Sequence, residues 1–243
     1  GQCTNNMKQI GLALHNYESK AGCFPPGQLG STFTANATTE DYNCVGPLVR
    51  ILPALEMQSI YDRFNFSRSF ADPVNRWLAG TEVAAYICPS YSGPTSASAH
   101  WYRRQSGNVN FAAYVTCYVG VFGYTTGGTT STPGAATTDN LRGIFFIDSK
   151  TRIADITDGT SNTFMYGEFR PNMMLRIGHP SWNPDNRWTT WVLGIVLEGS
   201  GGVKGMRFGP NQLFPADLGT GGYCRDWTLL PFSSQHPGGV NML

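Results

Sequence analysis

The first residues of the chain carry a one-sided apolar pattern that constrains the fold more than any other segment. Apolar side chains recur at intervals of three and four residues, which is the period of an α-helix with one buried face. The residues on this face are Met7, Ile10, Leu14, Tyr17 and Ala21, and Cys3 falls on it too. The opposite face carries Asn5, Lys8, Leu12 and Asn16. The pattern therefore predicts a helix that contacts the body of the protein along one side only.

The two ends of this helix differ. Gly22 and the Pro25-Pro26 pair predict its C-terminal end, since proline lacks an N–H donor and clashes with the preceding helical turn. The helical pattern is already under way at the first residues, and no initiator Met stands at position 1. We therefore expect residues 1–22 to be the C-terminal half of a longer helix whose beginning lies upstream.

Composition and charge narrow the function classes. Charged residues make up 14% of the sequence and the net charge is +1, which argues against nucleic acid as a partner, since nucleic-acid binding normally needs a basic face. No apolar run approaches the ~18 residues of a membrane-spanning helix. The 29 glycines and 15 prolines favour a loop-rich β or α+β chain, and a hydrophobic fraction of 41% excludes general disorder. No internal repeat or linker is visible, so we expect one domain over residues 1–243.

The remaining elements are predicted from local patterns. A second helix is expected over residues 48–65 with Pro53 in its first turn, and a short helix is expected from the Asp72-Pro73 start signal to near Gly80. Strands are predicted at residues 111–119, 143–147, 163–167, 188–197 and, after a turn at 236–239, at 240–243. Loops are predicted at residues 28–43, 90–106, 125–138 and 199–222. The predicted layout is α+β, a long helix packed on an antiparallel sheet with large loop insertions.

Several ordered segments resemble one bacterial family. They are residues 3–27, from the helix into the Phe-Pro-Pro-Gly loop, residues 52–65, the Ile-Cys-Pro-Ser run at 87–90, the Asp/Thr-rich run at 152–163, and the stretch around His-Pro-Gly-Gly at 232–241. Together they resemble the large pilin-like family of planctomycete-type bacteria, whose members are similar to type II secretion pseudopilins and type IV pilins. The resemblance runs from end to end of the chain, with unmatched inserts between the segments.

The resemblance implies a pilin-like fold and a non-enzymatic structural role. It implies that an apolar N-terminal helix, not present in this sequence, anchors the precursor in the inner membrane and contacts the assembly machinery there. After cleavage the subunit would pack with copies of itself, or with other pilin-like subunits, into an extracytoplasmic filament or pseudopilus. The outer face of the first helix, with Leu12 and Asn16, is the expected assembly surface.

Two departures from the family pattern stand beside this resemblance. The basic stretch and the prepilin peptidase site with which the family opens are not present in this sequence. Family members also continue past the His-Pro-Gly-Gly turn with a further strand and a hairpin, whereas this sequence stops at Leu243.

Six cysteines without any CxxC spacing favour disulfides over a structural zinc site. An even number of this kind suits an oxidising compartment. We expect Cys3, which faces the body, to pair with Cys88 at the end of a strand-like run at residues 85–87, and so to clamp the helix. The remaining expected pairs are Cys23–Cys44 and Cys117–Cys224. Six cysteines allow many other pairings, and buried free thiols in a reducing cytosol are the alternative.

An oxygen-rich loop at residues 155–162 is the candidate metal site of the sequence. Its candidate calcium ligands are Asp155, Asp158, Ser161 and Asn162. The spacing differs from that of an EF-hand loop, and the alternative is that Asp155, Thr157 and Asp158 cap a short helix and a turn. The resemblance adds that major pseudopilins bind calcium near the C-terminal end of the domain, without assigning a ligand here.

Catalytic motifs are missing from the sequence. It has no G-x-S-x-G nucleophile segment, and its four histidines are too scattered for an H-E-x-x-H metal site. We therefore predict a protein that is not an enzyme and holds no cofactor apart from the candidate calcium. Glu168 is expected to form a structural ion pair with Arg170 or Arg152.

Two other function classes remain open. One is a secreted or membrane-anchored protein that binds glycans or small solutes in an aromatic-lined pocket between the long loops, with stacking by Trp182, Trp188 and Trp191. The other is an accessory subunit of a larger membrane complex that never polymerises. Electron microscopy of filaments, glycan-array binding and the composition of the native particle distinguish the three classes.

Overall fold

The computed structural model describes residues 1–29, 45–68, 72–101, 109–124, 143–146, 148–171, 189–194, 203–206, 232–234 and 239–243. Some predictions concern the other residues and lie outside the described part of the chain. These are most of the loops at 28–43, 125–138 and 199–222, the turn at 236–238, Cys44, Cys224, Trp182 and Trp188.

The first predicted helix is confirmed. α1 spans Gln2–Ala21 and ends at Gly22, whose left-handed backbone (φ 76°) lets its N–H donate to the carbonyl oxygen of Glu18 at 2.7 Å. Glycine is favoured in this conformation because a side chain would clash with the backbone there. Beyond this cap, the Phe24 N–H donates to the carbonyl oxygen of Thr151 at 2.8 Å. The chain therefore leaves the helix where the glycine and the proline pair predict.

The second predicted helix is wrong as a continuous element. Its residues form three short pieces: α2 at Pro47–Arg50, a 3₁₀ helix at Leu52–Leu55 and α3 at Gln58–Tyr61. Pro53 lies inside the middle piece without an N–H to donate, so an α-helix does not run through it. Glu56 then adopts a left-handed backbone (φ 63°), which ends the 3₁₀ turn.

The third predicted helix is confirmed. α4 spans Pro73–Ala79 and is followed by Gly80. Its N-cap residue, Asp72, accepts a hydrogen bond from the Val74 N–H at 2.9 Å. The start signal is local in sequence, so it needs no distant contact to act.

The strands form two small sheets. β1 (Ser96–Trp101) and β2 (Val109–Tyr114) are an antiparallel pair. In the second sheet, β3 (Tyr118–Tyr124) lies between β4 (Tyr166–Glu168) and β5 (Val203–Met206). β3 pairs antiparallel with β4 but parallel with β5, so this sheet is mixed rather than antiparallel as predicted. The chain is α+β, as expected.

The C-terminal residues pair with β4 on the side away from β3. The Leu243 N–H donates to the Tyr166 carbonyl oxygen at 2.8 Å, and the Glu168 N–H donates to the Asn241 carbonyl oxygen at 3.1 Å. Gly167 and Met242 form an isolated antiparallel bridge between the two segments. The strand predicted at residues 240–243 is thus present only as a short antiparallel pairing with β4 at the edge of the sheet.

Local patterns misplaced several strands. The predicted strand at residues 111–119 is interrupted between β2 and β3. There the Tyr118 N–H donates to the Thr116 hydroxyl, and the Cys117 N–H donates to the Tyr86 carbonyl oxygen and not to a strand. The strand-like run at 85–87 belongs largely to a 3₁₀ helix at Ala84–Tyr86. β1 and β5 lie in segments predicted as loops. Residues 143–146 form no strand, and residues 189–194 form isolated bridges in place of the strand predicted there.

The core joins α1 to the short helices and to the second sheet. α1 contacts the 3₁₀ helices at Leu52–Leu55 and Ala84–Tyr86, and it contacts β4. The largest fully buried side chains are Trp191, Tyr86, Tyr118, Tyr166, Phe24, Phe145, Phe232, Ile10 and Leu14. The Trp191 Nε1 donates to the Thr81 carbonyl oxygen at 3.1 Å. Trp191 is therefore a core residue, which corrects the idea that it stacks on a ligand.

Candidate functional site

α1 has one buried face and one exposed face, as its sequence pattern predicts. The buried residues of α1 are Cys3, Asn6, Met7, Ile10, Gly11, Ala13 and Leu14. Tyr17 is half-buried, and Ala21, which was expected on the buried face, is exposed. The buried face therefore ends near Tyr17, because the last helical turn extends past the core on which α1 packs.

A clamp holds the N-terminal turns of α1 on the body. Cys3 and Cys88 form a disulfide with their Cα atoms 5.0 Å apart, and this confirms the predicted pair. The Asn6 Nδ2 donates to the Ile87 carbonyl oxygen at 2.9 Å, and the Tyr118 hydroxyl of β3 donates to the Cys3 carbonyl oxygen at 3.2 Å. The helix is thus tied both to the segment around Cys88 and to the second sheet.

The sequence pattern does not reveal two contacts on the buried face. Asn6 is only 8% exposed, although its side chain is polar. The only feature of the sequence that indicates this burial is its position at the edge of the apolar face. Gly11 leaves room for the C-terminal residue, since a Cβ built on Gly11 would lie 2.8 Å from the Cδ1 atom of Leu243. A glycine inside an otherwise regular helical pattern was the available signal for this close approach.

The opposite face of α1 is open to solvent. Leu12 is 65% exposed, and within α1, which the structure describes throughout, it is the only large apolar side chain that is exposed. Asn16 lies one turn further along the same face and is also exposed. The other exposed side chains of this face are Asn5, Lys8, Gln9, His15 and Ser19. The predicted assembly residues, Leu12 and Asn16, are therefore accessible.

The apolar content of α1 stays below that of a membrane span. Among the described residues, no helix combines the length and the hydropathy needed to cross a bilayer.

A buried carboxylate lies beneath the clamp. Glu168 of β4 is 2% exposed, and one of its oxygens lies with the sulfur atoms of Cys3 and Cys88 in a group whose members are all within 4.8 Å of one another. Its carboxylate accepts hydrogen bonds from the Asn241 N–H at 3.0 Å and from the Asn241 Nδ2 at 2.8 Å. Glu168 therefore connects the clamp of α1 to the C-terminal segment.

The sequence predicts Arg152 or Arg170 as the ion-pair partner of Glu168. Arg152 pairs with Asp155 instead, with Nη2 2.7 Å from Oδ1. The Arg170 Nε donates to the Ser234 carbonyl oxygen at 2.6 Å. The Arg152 alternative is therefore wrong, because its guanidinium is held by a carboxylate three residues away.

Cys117 lies beside the clamp as a free thiol. It is 2% exposed and lines a small cavity together with Cys88, Tyr91 and Glu168. Burial raises the pKa of the Cys117 thiol to about 12; the charge of Glu168 acts in the same direction, and a hydrogen bond from the Cys88 backbone N–H acts against it. At neutral pH the group is therefore a thiol rather than a thiolate.

The two remaining disulfide predictions have a different outcome from the first. Cys23 and Cys117 are both free thiols in the structure, which counts against the pairs Cys23–Cys44 and Cys117–Cys224. Cys44 and Cys224 themselves lie outside the described residues.

The predicted calcium loop is a pair of exposed turns. The Asp155 Oδ2 accepts hydrogen bonds from the Arg152 N–H at 2.9 Å and from its Nε at 3.1 Å. Hydrogen bonds from Arg152 lower the pKa of Asp155 to about 2. The Asn162 Nδ2 donates to the Asp158 carbonyl oxygen at 2.9 Å. Asp155 thus has the capping role that was the alternative, and calcium binding by Asp155, Asp158, Ser161 and Asn162 stays a prediction.

These features define an α+β protein whose N-terminal helix is clamped on one face and open on the other. A family model matches the whole chain, residues 1–243, and its description is SBP_bac_10, protein of unknown function (DUF1559). The chain therefore belongs to this family. Neither the comparison with curated proteins nor the comparison with solved structures gives a match.

Proposed function

We propose that this protein is a pilin-like structural subunit, not an enzyme, that assembles through the outer face of α1 into an extracytoplasmic filament or pseudopilus. The observation that carries the proposal is the division of α1 into one buried and one exposed face. The resemblance of five ordered sequence segments to pilin-like proteins supports it. The partners in this proposal are copies of the same chain or other pilin-like subunits.

The buried face gives α1 the rigidity that a filament subunit needs. Ile10 and Leu14 are 0% exposed, and full burial of such a side chain contributes about 1.5–3 kcal/mol. The Cys3–Cys88 disulfide adds a covalent tie at the N-terminal end of the same face. A neighbour can therefore contact the outer face without changing how α1 is held on its own body.

The outer face suits a repeated contact in a lattice better than a stable dimer. Leu12 offers one apolar contact among amide, hydroxyl and charged side chains. One leucine is too little for an independent interface, since specific interfaces bury about 1,200 Å² or more. In the proposal, the apolar helix that pilin-like precursors carry upstream provides the larger buried area, and Leu12 and Asn16 set the fit between subunits.

The disulfide supports a location outside the cytoplasm. Disulfides persist in the periplasm and at cell surfaces, whereas cytosolic thiols are kept reduced. The Cys3–Cys88 bridge is formed in the structure and is part of the core contact of α1. In the proposal, the precursor is anchored in the inner membrane, meets the assembly machinery there and is exported into the filament.

Site-specific photo-crosslinking in the native cells tests this proposal. A benzophenone amino acid replaces Leu12 in the full-length protein, and in a control it replaces Val74, which is 52% exposed but lies on α4. We expect crosslinks between subunits from position 12, in filaments visible by electron microscopy, and far fewer from position 74. Equal crosslinking from both positions, or none from position 12 in exported and folded protein, contradicts the proposal.

The form of the native particle separates the remaining classes in the same experiment. A discrete complex of unlike chains without filaments contradicts the proposal in favour of an accessory subunit. A monomer that binds glycans in an array contradicts it in favour of a binding protein.

A further inference from the structure

We propose that Cys117 and the Cys3–Cys88 disulfide form a thiol–disulfide exchange site, in which Cys117 takes Cys88 from Cys3 and releases the first turn of α1. The chemistry of this site is independent of the proposed function. Its use, which is to set how firmly α1 is held, rests on that function.

The backbone places Cys117 against Cys88. The Cys117 N–H donates to the carbonyl oxygen of Tyr86 at 2.8 Å. Tyr86 is two positions before Cys88, so this hydrogen bond places Cys117 next to the segment that carries Cys88. The carbonyl oxygen of Cys117 accepts a hydrogen bond from the Phe169 N–H at 2.9 Å, which ties the next residue after β4 to the same segment. The side chains of Cys88 and Cys117 line the same cavity, and both are buried. Cys3 is not among the residues that line this cavity, so the cavity brings Cys117 together with the Cys88 half of the disulfide.

The exchange is balanced without an external oxidant or reductant. The Cys117 thiol first loses its proton, and the thiolate attacks the Sγ atom of Cys88. A Cys117–Cys88 bond forms while the Cys88–Cys3 bond breaks, and the electron pair leaves on the Sγ atom of Cys3. Cys3 then takes up a proton, so one disulfide and one thiol are present before and after the step.

The surroundings of the thiol keep this exchange slow at neutral pH. Thiolate is the attacking species, and burial keeps Cys117 protonated. The titratable and charged groups around it are Glu168 of β4, Tyr118 of β3, Tyr91 and Arg170. The carboxylate of Glu168 lies within 4.8 Å of both disulfide sulfurs, so it also opposes negative charge on the leaving sulfur. Local opening that admits water at this cavity would accelerate the exchange.

Release of Cys3 affects only the start of α1. The Asn6 side chain still donates to the Ile87 carbonyl oxygen, and Ile10 and Leu14 remain in the core. The expected product is a folded protein in which the first turn of the helix exchanges its amide hydrogens faster. The buried face further along the helix keeps its protection.

Disulfide mapping of the full chain tests the proposal. The protein is incubated at pH 7 and at pH 9 with iodoacetamide present, digested without reduction and analysed by mass spectrometry. We expect Cys3–Cys88 to predominate at pH 7, and a Cys88–Cys117 peptide with alkylated Cys3 to accumulate about tenfold faster per pH unit as the thiolate fraction rises. A native Cys117–Cys224 pair, or alkylation of Cys3 at the same rate in Cys117→Ser, overturns the proposal.

Three variants sharpen this test without depending on high pH. Cys3→Ser, once shown to be folded, should form a Cys88–Cys117 disulfide on mild oxidation with oxidised glutathione. If Cys88 and Cys117 both remain thiols that iodoacetamide can alkylate, the proposal is overturned. Glu168→Gln should exchange at least several-fold faster at pH 7. Cys23→Ser is the matched control, because Cys23 is also a free thiol but lies beyond the C-terminal end of α1, and it should exchange like the wild type. These measurements report bonds within one chain. Their failure therefore does not affect the filament proposal, and an absence of filaments does not affect the exchange proposal.

Discussion

Leu12 and Leu14 are the same residue type, two positions apart in one helix, and they have opposite environments. Leu14 is 0% exposed, whereas Leu12 is 65% exposed. The reason is geometric, since side chains two positions apart in an α-helix point about 200° apart around its axis. The comparison teaches that the burial that holds α1 on the body is confined to one face, which leaves the other face accessible for the proposed contact between subunits. The two roles are therefore separable by substitution at neighbouring positions.

The largest expected effect is on the buried face. Leu14 is 0% exposed and belongs to the hydrophobic core cluster, so Leu14→Asp places a carboxylate among apolar side chains. We expect the free energy of unfolding to fall by more than about 4 kcal/mol, which is enough to unfold many domains. Circular dichroism and urea denaturation measure this loss. A loss below about 1 kcal/mol contradicts the assignment of this face to the core.

The next effect concerns the covalent clamp. The Cys3→Ser, Cys88→Ser double variant removes a disulfide that spans 85 residues of sequence. Removal of a native disulfide typically costs about 2–5 kcal/mol, and long loops lie toward the upper end in the chain-entropy account. Urea denaturation of the double variant, compared with the wild type, measures the cost. Stability unchanged within error would mean that the clamp does not hold α1 on the body.

A smaller effect distinguishes two adjacent asparagines. Asn6→Ala leaves the Ile87 carbonyl oxygen without its side-chain donor, so we expect a loss of about 1–2 kcal/mol. Asn5→Ala is the matched control, because Asn5 is exposed on the outer face and should change stability by less than about 0.5 kcal/mol. Thermal unfolding of the two variants measures the difference. Equal losses would show that the boundary between the faces is drawn in the wrong place.

The smallest expected effect on stability is at Leu12. Leu12→Asp exchanges one exposed side chain for another, and aspartate is a slightly poorer helix former than leucine. We therefore expect a loss of about 0.5 kcal/mol in urea denaturation. A loss comparable to that of Leu14→Asp would contradict the two-faced description of α1.

Elements fixed by local chemistry were predictable from the sequence. α1, its end at Gly22 and the Asp72-capped start of α4 depend on residues within one or two helical turns. The helical period places Cys3 on the buried face and so favours a disulfide between α1 and the body, but it does not select Cys88 as the partner. Helical periodicity and local capping signals were therefore enough to predict α1 and its buried face, whereas the choice of Cys88 was a guess.

Elements fixed by distant contacts were not predictable. β1 consists largely of small residues, Ser-Ala-Ser-Ala, and β2 supplies the pairing that makes it a strand. The helix expected over residues 48–65 failed because Pro53 begins a new 3₁₀ turn after α2 and Glu56 ends that turn with a left-handed backbone. Glu168 lies beside the disulfide, and Cys117 lines a cavity with Cys88, because β3 and β4 pair with each other; no sequence period encodes that pairing.

The central claim is that the outer face of α1 is reserved for contacts between subunits. The most direct measurement is the yield of filaments per folded, exported protein for Leu12→Asp and for Val74→Asp, counted by electron microscopy of full-length protein in native cells. Val74 is 52% exposed on α4, so its variant controls for the chemistry of the substitution. We predict that Leu12→Asp reduces the yield at least tenfold and that Val74→Asp leaves it near the wild-type value. Normal filaments from folded Leu12→Asp protein would contradict the account.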